Sequence, residues 1–157
     1  MTAPPTPSPA PAPAPPAPAP PAIERLPFDD VVVLVVDDDS TTCKLLSRIV
    51  TQMGGAVVQA SEGSEGLRLA HERLPDVVVT DINMRPVDGI AMLAGIRHSL
   101  NPQVVELPVL VFTGEKSQDT VEIARKLGVS GYLVKPFNPH GFARQVLEIV
   151  TKRRALG

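Results

Sequence analysis

The sequence predicts an α/β fold: a doubly wound parallel sheet of five strands with helices on both faces, behind a disordered Pro/Ala-rich tail. Three observations carry the prediction. Five short β-branched runs alternate with five longer segments of helical period. The runs are almost free of polar residues, as strands buried on both faces must be. The connections are short, which suits right-handed βα crossovers.

The first run, Val31-Val32-Val33-Leu34-Val35-Val36, has no polar residue in six positions. Ser40 or Thr41 can cap the helix that follows, with Leu45, Leu46, Ile49, Val50 and Met53 on one face and Gly54-Gly55 as its stop. Residues 56–60 form a second strand. Gly63, Leu67, Ala70 and Leu74 then stripe a helix that ends before Pro75. Residues 76–80, carrying Val77-Val78-Val79, are the third strand. Met92, Leu93, Ile96 and Leu100 stripe a third helix ending before Asn101-Pro102, and the connection 99–107 looks slightly long. The fourth strand is 108–112. A helix with Val121, Ala124 and Leu127 inward follows, with Gly128 as its C-cap. Tyr132-Leu133-Val134 is the fifth strand, and Phe142, Val146, Ile149 and Val150 stripe the last helix.

Ahead of this pattern the material changes. Eleven of the eighteen prolines fall within residues 1–22, interleaved with seven alanines. Proline fixes φ and removes a donor, and there are no large apolar side chains to bury, so the segment reads as an extended tail leaning to polyproline II. The division is therefore 1–27 as tail and 28–157 as one domain. Proline interrupts any apolar core a secretory signal would need, and no basic region precedes it. No apolar run approaches the roughly 18 residues of a membrane span. The single cysteine, Cys43, excludes an internal disulfide. A net charge of −2 with mixed signs gives no nucleic-acid footprint. These features predict a cytoplasmic protein with no nucleic acid or membrane among its partners.

In a doubly wound sheet the functional groups gather where the strands end. Strand one ends in Asp37-Asp38-Asp39 and strand three in Asp81. Strand four ends in Thr113-Gly114, and strand five runs into Lys135-Pro136-Phe137. Carboxylates crowded on one rim resist ionising together, and a hard divalent cation such as Mg²⁺ relieves them. A lysine and a threonine facing the same spot suit a dianionic oxyanion. The combination describes phosphoryl transfer to an aspartate. Each residue alone is an ordinary strand-end polar group; their joint occurrence on four strands points to chemistry.

These stretches, VLVVDDDS at 33–40, VTDINMRPVDG at 79–89, LPVLVFTGE at 107–115 and GYLVKPF at 131–137, resemble the receiver domains of two-component response regulators. The small single-domain chemotaxis type is the nearest likeness, which spans residues 31 to about 152. The resemblance implies a flavodoxin-like (βα)5 fold and a signalling protein that catalyses only its own phosphorylation and dephosphorylation. It makes Asp81 the phosphoacceptor. Asp38 would bind Mg²⁺ directly, Asp37 through a water and Asn83 by its backbone carbonyl, while Thr113 and Lys135 contact the phosphoryl group. Thr113 and Tyr132 would be the switch pair, and Asn83 and Glu115 would tune the lifetime of the phosphoryl group. The implied donor is a sensor histidine kinase or a histidine phosphotransfer protein. An output protein would meet the face of helix four, strand five and helix five, where Gln118, Val121, Arg125 and Tyr132 are expected. With no output domain in the sequence after that face, output is expected by protein contact or relay. One departure from the family pattern is Arg85, standing between Met84 and Pro86 and putting a cation near the acceptor.

Two other readings compete. Asp37-Asp38-Asp39-Ser40-Thr41 satisfies D-x-D-x-T after an apolar strand and resembles the haloacid-dehalogenase phosphotransferases, with Asp37 as nucleophile. That family needs a further acidic pair beyond the lysine, and past Lys135 the one acid is Glu148. The other is an interaction module independent of phosphorylation, with the tail offering Pro-x-x-Pro ligands to an aromatic groove. Cys43 reads as helix packing and Met84 as loop packing. His71, His98 and His140 read as surface residues, and Lys152, Arg153 and Arg154 as a solvated helix end.

Overall fold

A computed structural model of the chain describes residues 2–13, 28–84, 88–114 and 118–156. Residues 2–13 carry neither helix nor strand and are exposed throughout. The remaining tail residues, Met1 and 14–27, and Arg85 and Pro86 lie outside the described residues, as does Glu115.

The elements run β1 (Val32–Val36), α1 (Ser40–Gln52), β2 (Ala56–Ala60), α2 (Gly63–Arg73), β3 (Val77–Asp81), α3 (Gly89–Arg97), α4 (Pro102–Val105), β4 (Val109–Thr113), α5 (Gln118–Lys126), β5 (Gly131–Val134) and α6 (Pro139–Leu156). The five strands form one parallel sheet in the order β2-β1-β3-β4-β5. Successive strand residues face opposite ways, so each apolar run feeds two cores. Val33, Val35, Val79, Leu110 and Phe112 pack with Leu46 and Val50 of α1 and Phe142 and Val146 of α6. Leu34, Val36, Val78, Val109 and Val111 pack on the other face with Ala70, Met92, Leu93, Ile96 and Val104. The central runs are apolar throughout because both of their faces are covered.

Four expectations are corrected. The connection 99–107 contains an extra helical turn, α4, which makes six helices among the described residues. Asn101 caps it by accepting from the Gln103 amide at 2.9 Å, Pro102 opens it, and Val104 is buried beneath it. Helix α3 stops at Arg97, so Leu100 lies beyond the stripe and is fully exposed. The cap of α1 is Asp39, whose carboxylate accepts from the Thr41 amide and the Thr42 hydroxyl, rather than Ser40 or Thr41. Leu45 and Leu74 are exposed, Leu74 because it closes α2 in the left-handed region at φ 43°. Gly128, at φ 74°, does end the helical turn after α5, its amide donating to Arg125 O. Among the described residues no helix is long and apolar enough to cross a membrane.

Candidate functional site

Strand order reverses between β1 and β3, and Asp37 and Asp81 stand at the carboxyl ends of those two strands. This is the crevice where doubly wound sheets bind their ligands. Both carboxylates are buried, at 1% and 7% exposure. Each uses one oxygen on the chain just beyond it. Asp37 Oδ1 accepts from the Asp39 amide at 2.9 Å, and Asp81 Oδ1 from the Asn83 amide at 3.0 Å. The other oxygens turn to Lys135, which follows β5. Its Nζ lies 2.9 Å from Asp81 Oδ2 and 3.5 Å from Asp37 Oδ2. The ammonium also sits 4.9 Å from the centroid of the Phe112 ring, and Phe137 packs edge-on against that ring.

Burial pushes the Asp37 carboxyl up from its ordinary value to about 6. The Asp81 charge and the adjoining Asp38 carboxyl add to the rise, while the Asp39 amide and Lys135 hold it down. Burial opposes the Lys135 charge, but its hydrogen bond to Asp81 and the Asp37 charge outweigh that, so the ammonium is held above its usual value. Among the described residues, the site therefore carries more carboxylate than Lys135 neutralises.

Of the residues expected at the site, the fold brings Asp37 and Asp81 each into contact with Lys135. Asp38 is exposed beside Asp37, and Asn83 is exposed with its amide on Asp81. Thr113 ends β4 opposite Val134 of β5; its side chain, like Glu115, lies outside the described residues. Tyr132 is half-buried on β5, opposite Val111, and packs on the second core. On α5, Gln118 and Arg125 are exposed and Val121 half-buried. Phe112 also lines the site, and it is not evident in the sequence, because it sits in an apolar run where it reads as packing. Cys43 is buried with its thiol donating to Asp37 O, Met84 is buried, and His71, His98 and His140 are exposed.

The donors at this rim are oxygens on partly neutralised carboxylates, a chemistry that fits a hard dication such as Mg²⁺. Among the described residues no three His, Cys, Asp or Glu side chains form a metal cage by themselves. Mg²⁺ does not require one, because it commonly takes one or two carboxylates and keeps several waters.

Residues 33–147 match the family model described as the response regulator receiver domain, and the chain belongs to that family. It is 37% identical over 110 residues to the transcriptional regulatory protein ZraR of Escherichia coli K12, covering 70% of this chain and 24% of that protein. Among solved structures, the chemotaxis protein CheY4 of Vibrio cholerae is similar with a TM-score of 0.70 and 29% identity, over 76% of this chain and 98% of that one. A receiver domain protein of Clostridium thermocellum is similar with a TM-score of 0.73 and 29% identity, over 81% and 99%. The chain spans between a quarter and about half the length of the curated relatives it matches.

Proposed function

We propose that the protein is a phosphoacceptor switch in which Asp81 takes a phosphoryl group and changes the affinity of a partner surface. The observation that carries this reading is the single ammonium of Lys135 shared by two buried carboxylates at the switch point of the sheet. A phosphorylated histidine of a sensor kinase or phosphotransfer protein is the proposed donor. One Asp81 carboxylate oxygen attacks phosphorus, the P–N bond breaks, and the imidazole leaves and takes up a proton. Lys135 stays charged at neutral pH and follows the negative charge onto the phosphoryl oxygens. Thr113 would donate to another of them.

Asp38 and Asp81, Asp37 through a water, and the Asn83 backbone carbonyl would hold Mg²⁺. When bound, the ion neutralises charge on the carboxylates and the phosphoryl oxygens. Thr113 and Tyr132 would carry the change from β4 to β5 and on to the face of α5, β5 and α6, which corresponds to the family's face of helix four, strand five and helix five. An output protein would bind there by population shift. Asn83 and Glu115 would tune the lifetime of the aspartyl phosphate. We place the protein in the cytoplasm, with 28–157 as the receiver and 1–27 as a spacer.

The test is incubation of the full chain with Mg²⁺ and a small acyl phosphate, followed by intact mass. Wild type should gain one phosphoryl group and Asp81→Asn none. Equal gain in both would sink the reading.

A further inference from the structure

Among the described residues three polar or charged side chains are fully or nearly fully buried: Asp37, Asp81 and Thr80. The first two belong to the site. Thr80, the residue before Asp81, is 0% exposed and has Val36 and Val111, both of the second core, as its strand partners. A valine has the same shape and would suit that position better, because burying a hydroxyl is unfavourable unless it is bonded. The Thr80 hydroxyl is bonded, and its acceptor is the backbone carbonyl of Asp81 at 2.8 Å.

The next carbonyl is bonded, and the Asp81 carbonyl is closely approached, by the start of a helix. Helix α3 starts at Gly89, whose amide donates to Ile82 O at 2.9 Å, and a Cβ on Gly89 would collide with Asp81 O. The Asp81 peptide plane thus lies between a hydroxyl that binds it and a helix start that leaves it no room to swing. Its orientation decides how the chain leaves Asp81 toward Asn83. The Asn83 amide in turn bonds Asp81 Oδ1 and aims the carboxylate.

We infer that Thr80 is a positioning residue for Asp81, its hydroxyl fixing the peptide plane from which the acceptor carboxylate and the Asn83 backbone are set. The inference rests on the reading of Asp81 as phosphoacceptor. It differs from a packing role in the direction of its effects. Removing the hydroxyl should slow the chemistry in a protein that stays fully folded at the assay temperature.

The experiment uses the full chain as wild type, Thr80→Val and Thr80→Ser. It measures phosphoryl uptake from a saturating small acyl phosphate with Mg²⁺, the thermal midpoint, and the amide resonance of Asn83. Thr80→Val should take up phosphoryl about fivefold more slowly, the loss of one ordinary hydrogen bond in the reacting geometry. Its midpoint should stay well above the assay temperature, and its Asn83 resonance should shift. Thr80→Ser should restore the rate to near wild type. Uptake by Thr80→Val at the wild-type rate, or Thr80→Ser as slow as Thr80→Val, would overturn the inference alone. Absence of uptake by wild type would overturn the reading of the site, and the inference with it.

Discussion

The Lys135 ammonium stands 2.9 Å from Asp81 Oδ2 and 3.5 Å from Asp37 Oδ2, so one cation serves two carboxylates carried by different strands. Replacing it with Met keeps an unbranched apolar stem and removes the charge that sits 4.9 Å from the Phe112 ring centroid. Phosphoryl uptake from an acyl phosphate should then fall at least about tenfold, since hydrogen bonds to charged groups contribute roughly 1.5–3 kcal/mol. Uptake at the wild-type rate by Lys135→Met would deny the lysine a part in the chemistry.

Asp37 predicts a pH dependence. Its carboxyl titrates near 6 when folded against an ordinary value of 3.8. Between those values the unfolded chain ionises while the folded one keeps its proton. The group's contribution is therefore fully present below 3.8 and is lost as pH rises through 6. Without divalent ions, Asp37→Asn should raise the thermal midpoint at pH 7 by about 5 °C, and the gain should fade as pH approaches 4. A gain that grows on acidification would contradict this assignment of charge strain.

Far from the site, Arg97 clasps four backbone carbonyls: Leu127 O and Gly128 O at 2.9 Å, and Val105 O and Leu107 O at 2.8 Å. It ties the end of α3 to α4 and to the turn after α5. Arg97→Met should cost about 2–4 kcal/mol in urea unfolding by leaving several acceptors unpaired. Arg97→Lys should recover only part, because a single ammonium cannot reach four carbonyls in two segments. Equal stability of all three proteins would dismiss the clasp.

Cys43 is 6% exposed, and burial pushes its thiol up to about 11. Iodoacetamide at pH 8 should label the native protein orders of magnitude more slowly than the urea-unfolded chain. Comparable labelling rates would mean that α1 opens readily.

Much of the fold was legible because the sheet is written in unbroken apolar runs. Asp37, Asp81 and Lys135 could be placed on one rim because each directly follows or closes such a run. Helix α4 was not, since four residues are too few to show a helical period; Asn101-Pro102 was its one signal. Leu100 read as the last of a stripe because periodicity alone does not say where α3 stops. Thr80 and Phe112 were hidden by their shapes, which pass for packing in a strand. Arg97 was hidden for another reason: its four acceptors lie 8 to 31 residues away and meet only in the folded chain.

The central claim is that Asp81, and not Asp37, carries the phosphoryl group. The measurement that tests it most directly is borohydride reduction of the phosphorylated full chain, which converts an aspartyl phosphate to homoserine, followed by peptide sequencing by mass spectrometry. Homoserine at position 81 is the predicted result. Homoserine at position 37 would contradict the account and return the protein to the phosphotransferase reading.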